Sequence, residues 1–288
     1  MAFISYAQNF EDVIIHRVLS EIKNGFYIDV GAANPVIDSV TRAFYDSGWN
    51  GINIEPNPQS YLELTRFRQR DVNLRVALGK EIGKIDFWQM EHDGLSTASE
   101  SQFLKHEVNG FEGQRIEVEC QTLSAICKEF AQVPDIHFLK IDVEGWERDV
   151  LLGANLVDFR PWIVLIEATI PNTQTDVSSE WLELLIESNY EIVYRDGLNI
   201  YFLAKEKIHL KEKFQFPPNV FDDFIKFDHS LNIELSNTRQ ELSNTRQELS
   251  TNKEELHAIL ESNIWVKTRY LRDFKRYISR INKQPRQK

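Results

Sequence analysis

Short apolar, β-prone runs alternate with amphipathic segments over the first 205 residues of the chain. This alternation restricts the fold more than any other feature, because successive βα units predict a parallel sheet with helices on both faces. The predicted strands are residues 26–30, 52–55, 74–78, 85–88, 116–120, 137–141 and 162–167. The predicted helices are residues 10–22, 39–47, 59–69, 123–130, 146–152 and 181–188.

A two-residue hairpin signal, Asp196-Gly197, separates the β-prone segments 190–195 and 198–204. It predicts that an antiparallel strand closes the sheet. Residues 89–113 show little periodicity, and a polar loop of that length is commonly functional, so we expect it to cover an acceptor. We expect His92 and His106 in this segment to be solvated rather than catalytic.

Two predicted strands end in the pattern of a nucleoside site. The first ends in Asp29-Val-Gly31, and the second ends in Glu55, twenty-six residues after Asp29. A small-residue turn lets a ligand approach the backbone, and a carboxylate on the next strand can bind two ribose hydroxyls. The turn continues as Ala32-Ala-Asn34 and lacks the glycines that a pyrophosphate needs, so it favours a cationic, phosphate-free nucleoside such as S-adenosylmethionine. The alternative is a buried turn that binds no ligand.

A second motif is Leu139-Lys-Ile-Asp-Val-Glu-Gly-Trp-Glu147, in which Lys140, Asp142 and Glu144 have the period of a strand face. Ligands bind outside the carboxyl ends of parallel strands, which places one set of residues on a common rim: Asp29, Glu55, Ala77, Asp142 and Glu167. A carboxylate at this rim could orient a sulfonium or accept a proton from a hydroxyl group. For Glu147 we favour a helix-capping role.

Composition excludes several classes of protein. The two cysteines, Cys120 and Cys127, have no metal or redox spacing, and we predict neither a disulfide framework nor a metal site. No signal peptide and no apolar run of about 20 residues is evident, so we expect a cytoplasmic protein, free or at the inner membrane face. A net charge of -11 argues against general nucleic-acid binding.

The chain changes character after residue 205, and its tail repeats every seven residues. Leucine occupies one heptad position, whereas the partner position is mostly polar: Leu235, Leu242, Leu249 and Leu256 against Thr238, Thr245, Asn252 and Ile259. This pattern predicts a weak coiled coil and a homo-oligomer, with a single solvated helix as the alternative.

The last segment of the tail is basic and amphipathic. Its cations are Lys267, Arg269, Arg272, Lys275, Arg276, Arg280, Lys283, Arg286 and Lys288, interleaved with apolar and aromatic residues. The pattern favours peripheral contact with anionic lipid, and nucleic-acid contact or packing on the catalytic domain are the alternatives. Residues 262–265 with Thr268 and Leu271-Arg272 are similar to tails of bacterial surface-polysaccharide transferases.

Five motifs, in order and spacing, resemble the FkbM-type S-adenosylmethionine-dependent methyltransferases over about residues 3 to 225. The matching segments are residues 5–12, 27–32, 50–58, 139–147 and 216–222, the last being Phe216-Pro-Pro-Asn-Val-Phe-Asp222. The resemblance implies a class I methyltransferase: a Rossmann-like, doubly wound α/β sheet with a C-terminal antiparallel hairpin, followed here by the helical coiled-coil tail. Together with the repeat and charge pattern of the tail, it predicts four parts: a methyltransferase domain at 1–205, a connecting segment at 206–229, a coiled coil at 230–262 and a basic helix at 263–288.

The resemblance also implies site roles. Asp29, Gly31 and Ala32 line the methionine side of the cofactor, Glu55 binds its ribose, and Asp142 lies by the reacting end. Asn34 and Ala77 complete the predicted cofactor site, and Lys140, Asp142 and Glu144 are the predicted catalytic residues. Gln8, Glu11 and Asp12 resemble a lid or acceptor element.

Three hypotheses follow from these patterns. The first is an O-methyltransferase acting on a sugar hydroxyl of a bacterial surface glycan or its lipid-linked precursor. The second is a non-catalytic coiled-coil adaptor of a glycan-synthesis complex. The third, a nicotinamide oxidoreductase, is disfavoured by the turn after Gly31 and by the closing hairpin.

Overall fold

A computed structural model describes residues 2–90, 94–170 and 173–281 of the chain. The chain divides into two compact units, Met1–Phe227 and Asp228–Lys288. The two units are described separately below.

The first unit alternates strands and helices. Its strands are β1 (Phe3–Ser5), β2 (Phe26–Val30), β3 (Asn50–Ile54), β4 (Val72–Leu74), β5 (Ala77–Leu78), β6 (Gly83–Met90), β7 (Gly113–Gln121), β8 (Phe138–Ile141), β9 (Ile163–Glu167), β10 (Tyr190–Arg195), β11 (Asn199–Ala204) and β12 (Phe224–Lys226). Its helices are α1 (Glu11–Val18), α2 (Arg42–Asp46), α3 (Pro58–Phe67), α4 (Glu100–Val108), α5 (Leu123–Phe130), α6 (Glu147–Leu152) and α7 (Leu182–Glu187).

The central sheet of the described residues has seven strands in the order β10-β11-β9-β8-β2-β3-β4. Strands β9, β8, β2, β3 and β4 pair in parallel, whereas β11 pairs antiparallel with both β9 and β10. Strand β2 lies between β3 on one side and β8 on the other, so the chain builds the sheet outward in both directions from β2. Ligands bind at such a switch point in open α/β sheets.

Both faces of the central sheet are covered. Strands β2 and β8 are buried along their whole length, which explains their nearly continuous apolar sequence. Helices α5, α6 and α7 pack on one face around Ile28, Leu139 and Val164. Helices α1 and α2 pack on the other face around Tyr27 and Phe138.

One predicted strand, residues 74–78, is wrong as a single element. The chain leaves the central sheet after Leu74, and β5 pairs with β7 in a separate sheet of order β5-β7-β6. The apolar character of the segment is continuous, because Val76 and Ala77 are buried in or packed against cores just as Leu74 is. The chain therefore divides here because its two parts pair with different strands, β4 with β3 and β5 with β7.

The predicted polar loop at residues 89–113 is also wrong, because it contains helix α4. Ser99 caps this helix by accepting a hydrogen bond from the Gln102 amide. Its buried residues are Gln102 and His106, both polar, so the helix has no apolar stripe for the sequence to reveal. His106 is 2% exposed and not solvated as we predicted, and His92 lies outside the described residues.

Residues after 205 continue the first unit. A 3-10 helix at Lys205–Phe214 buries Phe214 against the core of α1, and β12 pairs in parallel with β1. Arg17 on α1 binds both carboxylate oxygens of Asp222 at 2.6 Å and the carbonyl oxygen of Phe216 at 2.7 Å. These contacts fasten the segment that carries the Pro-Pro-Asn motif to the N-terminal helix.

The second unit contains two helices, α8 (Phe227–Glu261), which starts at the end of the first unit, and α9 (Asn263–Ile281). Among the described residues, no helix combines the length and apolar character needed to cross a membrane. Lys283, Arg286 and Lys288 of the predicted basic segment lie outside the described residues.

Candidate active site

A pocket of about 810 Å³ opens at the carboxyl ends of β2, β3 and β8, where strand order reverses. It is lined by every residue that the sequence predicted for the cofactor and for catalysis: Asp29, Gly31, Ala32, Asn34, Glu55, Ala77, Lys140, Asp142 and Glu144. The structure therefore brings all of these residues to one cavity, although they come from four separate segments of the chain.

Gly31 turns the chain out of β2 in the left-handed region, with φ of +75°. A Cβ atom at this position would lie 1.8 Å from the carbonyl oxygen of Asp142, so no side chain fits between β2 and the turn after β8. The Gly31 amide donates to the Ile54 carbonyl at 3.0 Å, which holds the turn against β3. A side chain at position 31 would therefore displace the turn after β8, which borders the pocket.

Lys140 joins the two acidic strand ends. Its ammonium lies 3.4 Å from Asp29 Oδ1 and 3.3 Å from Asp142 Oδ2, and it donates to the Gly31 carbonyl at 2.7 Å. Burial alone would lower the pKa of Lys140, but Asp142 and Asp29 outweigh burial and raise it. Thr41 donates to the other oxygen of Asp29 at 2.8 Å. Lys140 is therefore a charged, positioning group.

Glu55, directly after β3, is buried and held by backbone. Its carboxylate accepts hydrogen bonds from the amides of Ala33 and Asn57, each at 2.8 Å. Burial raises its pKa to about 7, against the lowering effect of those two amides. Each oxygen keeps a second acceptor site, so the fixed carboxylate can still receive hydroxyl groups from a ligand in the pocket.

The turn between β8 and α6 carries a group of acids. Glu147, the first residue of α6, accepts from the amides of Gly145 at 3.0 Å and Val143 at 3.3 Å. These bonds hold the turn before the helix, and no side-chain capping bond forms at Trp146, so the capping role of Glu147 stays a prediction. Burial, followed by the charges of Asp142 and Glu147, raises the pKa of Glu144 well above its usual range. Burial and these charges therefore favour the protonated form of Glu144.

Glu167 at the end of β9 completes this group. Burial raises its pKa to about 11, and Asp142 and Glu144 add to the rise. Carboxylate oxygens of these three residues lie within 4.8 Å of one another, a spacing that could hold a divalent cation. Acidic groups arranged in this way are common without an ion, and we assign no metal here.

The remaining predicted cofactor residues have local roles as well. The side-chain oxygen of Asn34 accepts from the amides of Val36 and Ile37, both at 2.9 Å, and so closes the turn that lines the pocket. Ala77 on β5 is buried and belongs to the second sheet, not to the rim of the central sheet as we predicted.

The N-terminal segment divides between two roles. Gln8 and Glu11 line the pocket, whereas Asp12 is fully buried and does not. Asp12 accepts from the Ser5 hydroxyl and the Tyr6 amide, each at 2.7 Å, which fixes the turn that presents Glu11. Asp12 therefore supports the N-terminal segment from inside the fold.

Sequence reasoning missed other lining residues. Trp146 donates from its indole to the Leu78 carbonyl at 3.1 Å and so links α6 to the second sheet beside the pocket. Asn199 reaches the pocket from the start of β11. Trp146 lies within the 139–147 motif but was assigned no role there, and the Asp-Gly turn before Asn199 located only the strand that carries Asn199.

The model of the family described as methyltransferase FkbM domain matches residues 29–192. The chain belongs to this family. The match confirms the resemblance read from the five motifs, and it agrees with a methyltransferase-like α/β fold with mixed sheets. The match does not cover the whole pocket, since Gln8, Glu11 and Asn199 line it from outside residues 29–192.

Those three residues come from the segment before β2 and from the strand after the hairpin turn, so the family core alone does not complete the pocket.

Two solved structures are similar to this chain at low identity. The methyltransferase FkbM from Methylobacillus flagellatus KT has 15% identity and a TM-score of 0.40, over 62% of this chain and 44% of that one. A TehB-like SAM-dependent methyltransferase from Corynebacterium glutamicum ATCC 13032 Kitasato has 10% identity and a TM-score of 0.35, over 67% and 88%. The chain thus spans less than half the length of the FkbM structure. No curated protein matches the chain.

Proposed function

We propose that the chain is an S-adenosylmethionine-dependent O-methyltransferase whose acceptor is a sugar hydroxyl of a bacterial surface glycan or its lipid-linked precursor. The observation that carries the cofactor assignment is the pairing of Gly31 and Glu55 at the mouth of one pocket. Gly31 keeps side-chain atoms away from the end of β2, and Glu55 presents a fixed carboxylate at the end of β3. A cationic nucleoside without phosphates suits this acidic rim.

The chemical step is a displacement at the methyl carbon. Bound S-adenosylmethionine would supply a methyl group on a sulfonium; the acceptor oxygen would bond to that carbon as the carbon–sulfur bond breaks, and the sulfur would keep the electron pair. The hydroxyl proton passes to a carboxylate. Asp142 is the better candidate for this base than Glu144, because burial and neighbouring charges favour the protonated form of Glu144. Lys140 positions Asp142 from 3.3 Å.

Calorimetric titration tests the cofactor assignment. The full chain should bind S-adenosylmethionine and should not bind NAD. Glu55→Ala should weaken binding at least tenfold, since charge-assisted hydrogen bonds contribute about 1.5–3 kcal/mol. The matched control is Glu81→Ala, at an exposed carboxylate outside the pocket, which should change nothing. An unchanged dissociation constant for Glu55→Ala would refute the assignment, and binding without methyl transfer to any glycan would favour an adaptor.

The heptad helix supports a second part of the proposal, self-association of the chain. Along α8, the leucines of the predicted seam are 48–56% exposed: Leu235, Leu242, Leu249 and Leu256. A seam of leucine on an exposed helix is stabilised when a second copy covers it. The polar partner positions make the expected association weak.

Helix α9 supports a third part, peripheral contact with an anionic membrane at its cytoplasmic face. One face carries apolar residues that are 42–82% exposed: Val266, Tyr270, Leu271, Phe274, Tyr277 and Ile278. The opposite face carries Arg269, Arg272, Lys275, Arg276 and Arg280. An aromatic apolar face beside a basic face suits the interface of an anionic bilayer, and each cation contributes about 1 kcal/mol there.

A further inference from the structure

One wall of the pocket combines Glu11 and Asn199, which lie outside the family match, with Glu167, which lies inside it. Asn199 donates from Nδ2 to Glu11 Oε1 at 2.9 Å, and the Asn9 amide donates to Glu11 Oε2 at 2.9 Å. These bonds fix the Glu11 carboxylate while each oxygen keeps a second acceptor site. Asn199 pairs with Glu167 across β11 and β9, so the wall is continuous from the N-terminal segment to the end of β9.

The ionisable side chains that line the pocket are almost all acidic. Among the described lining residues, Lys140 is the only cationic side chain, and it is already paired with Asp29 and Asp142. The carboxyl groups that line the same cavity are Glu11, Asp29, Asp38, Glu55, Asp142, Glu144 and Glu167. No arginine, lysine or histidine in the described lining is left to receive an anion.

The pKa values of Glu11 and Glu167 agree with this acidic lining. Burial and the neighbouring carboxylates raise the pKa of Glu167 to about 11, and burial raises the pKa of Glu11 to about 7. Burial and like charges that raise the pKa of a carboxyl group make additional negative charge unfavourable in the same place. A carboxylate or phosphate on the acceptor would meet the same burial and the same repulsion.

We propose that Glu11, Asn199 and Glu167 form the acceptor subsite, and that this subsite admits hydroxyl-bearing units without negative charge. Neutral and amino sugars fit this description, whereas uronic acids and sugars phosphorylated near the reacting hydroxyl do not. The fixed oxygens of Glu11 accept hydrogen bonds from sugar hydroxyls, and the acidic wall rejects anionic units. The inference rests on the proposed function, because it takes the same pocket as the site of methyl transfer.

Saturation-transfer NMR on the full chain loaded with S-adenosylhomocysteine tests the inference. The probes are methyl glucoside, glucosamine and glucuronate, which share a ring and differ in charge. We expect signals from the first two that exceed the glucuronate signal by about tenfold or more, as like-charge contacts are strongly disfavoured. Equal signals from all three probes, or no signal from any of them, would overturn the proposal.

A pair of variants assigns the effect to the wall. Glu11→Gln preserves the size of the side chain and removes its charge, so it should raise the glucuronate signal relative to that of methyl glucoside. Glu21→Gln, at a side chain that is 89% exposed, should leave the pattern of the wild-type protein unchanged. If both variants behave alike, Glu11 does not set the preference. Should Glu11→Gln fail to fold, the wild-type comparison still decides the charge preference.

The same samples separate this inference from the proposed function. Calorimetry with S-adenosylmethionine precedes the NMR measurement. A chain that does not bind S-adenosylmethionine contradicts the proposed function. A chain that binds it and accepts glucuronate as readily as methyl glucoside contradicts the acceptor inference alone.

Discussion

Replacing Gly31 by alanine should damage both the stability and the site of this protein. The new Cβ would lie 1.8 Å from the Asp142 carbonyl oxygen, about half of a comfortable contact of roughly 3.5 Å, so the turn after β8 must move. Alanine at a φ of +75° costs roughly 1–2 kcal/mol, and overpacking adds roughly 1–3 kcal/mol. For a unit of this size, each kcal/mol lowers the melting temperature by roughly 2–4 °C.

Gly48→Ala is the matched control for Gly31→Ala. Gly48 has a φ of +95°, but a Cβ there would meet nothing within 4 Å, so only the conformational cost remains. Thermal unfolding should show the smaller loss for Gly48→Ala, and calorimetry should show unchanged binding of S-adenosylmethionine. Gly31→Ala should lose binding as well, because it displaces Asp142. Equal losses of stability in the two variants, with cofactor binding retained in both, would refute the steric argument.

Two further predictions concern pH and the tail. Glu55 and Glu147 have pKa values raised from 4.5 to about 7 by burial, so the folded chain binds more protons than the unfolded chain between those values. The free energy of unfolding should therefore fall as pH rises from about 5 to 7.5. A melting temperature that rises over this range would contradict the raised pKa values of Glu55 and Glu147. Removing residues 264–288 should abolish sedimentation with anionic vesicles, and unchanged sedimentation would contradict the membrane role of α9. Replacing Leu242 and Leu249 by alanine should shift the ultracentrifugation profile toward monomer, and an unchanged profile would contradict self-association through α8.

The strand ends of the site were predictable because burial and function use different residue types. Strands β2 and β8 are buried throughout, so their apolar runs are visible in the sequence, and the first acids after or within those runs mark the rim. Asp29 and Asp142 were found in this way, and so was Glu55 after β3. The same logic failed for α4, whose buried face is formed by polar Gln102 and His106.

Contacts between distant segments decided the rest. The division of residues 74–78 between two sheets depends on pairing with Ile52 to Ile54 on one side and with Cys120 and Gln121 on the other. The separate roles of Glu11 and Asp12 depend on which way each side chain faces from the start of α1. Glu11 and Asp12 are adjacent, and both are buried, so the sequence does not reveal which of the two side chains faces the pocket.

The sequence by itself determined the order of βα units, the glycine turn and the acidic strand ends, because local periodicity and backbone constraints are written in adjacent residues. Only the tertiary structure decided that Glu11, Asn199 and Glu167 meet in one wall, since they lie on three separate elements. It also decided which carboxyl groups have raised pKa values, because the pKa of a buried acid depends on burial and on neighbours that the fold brings together.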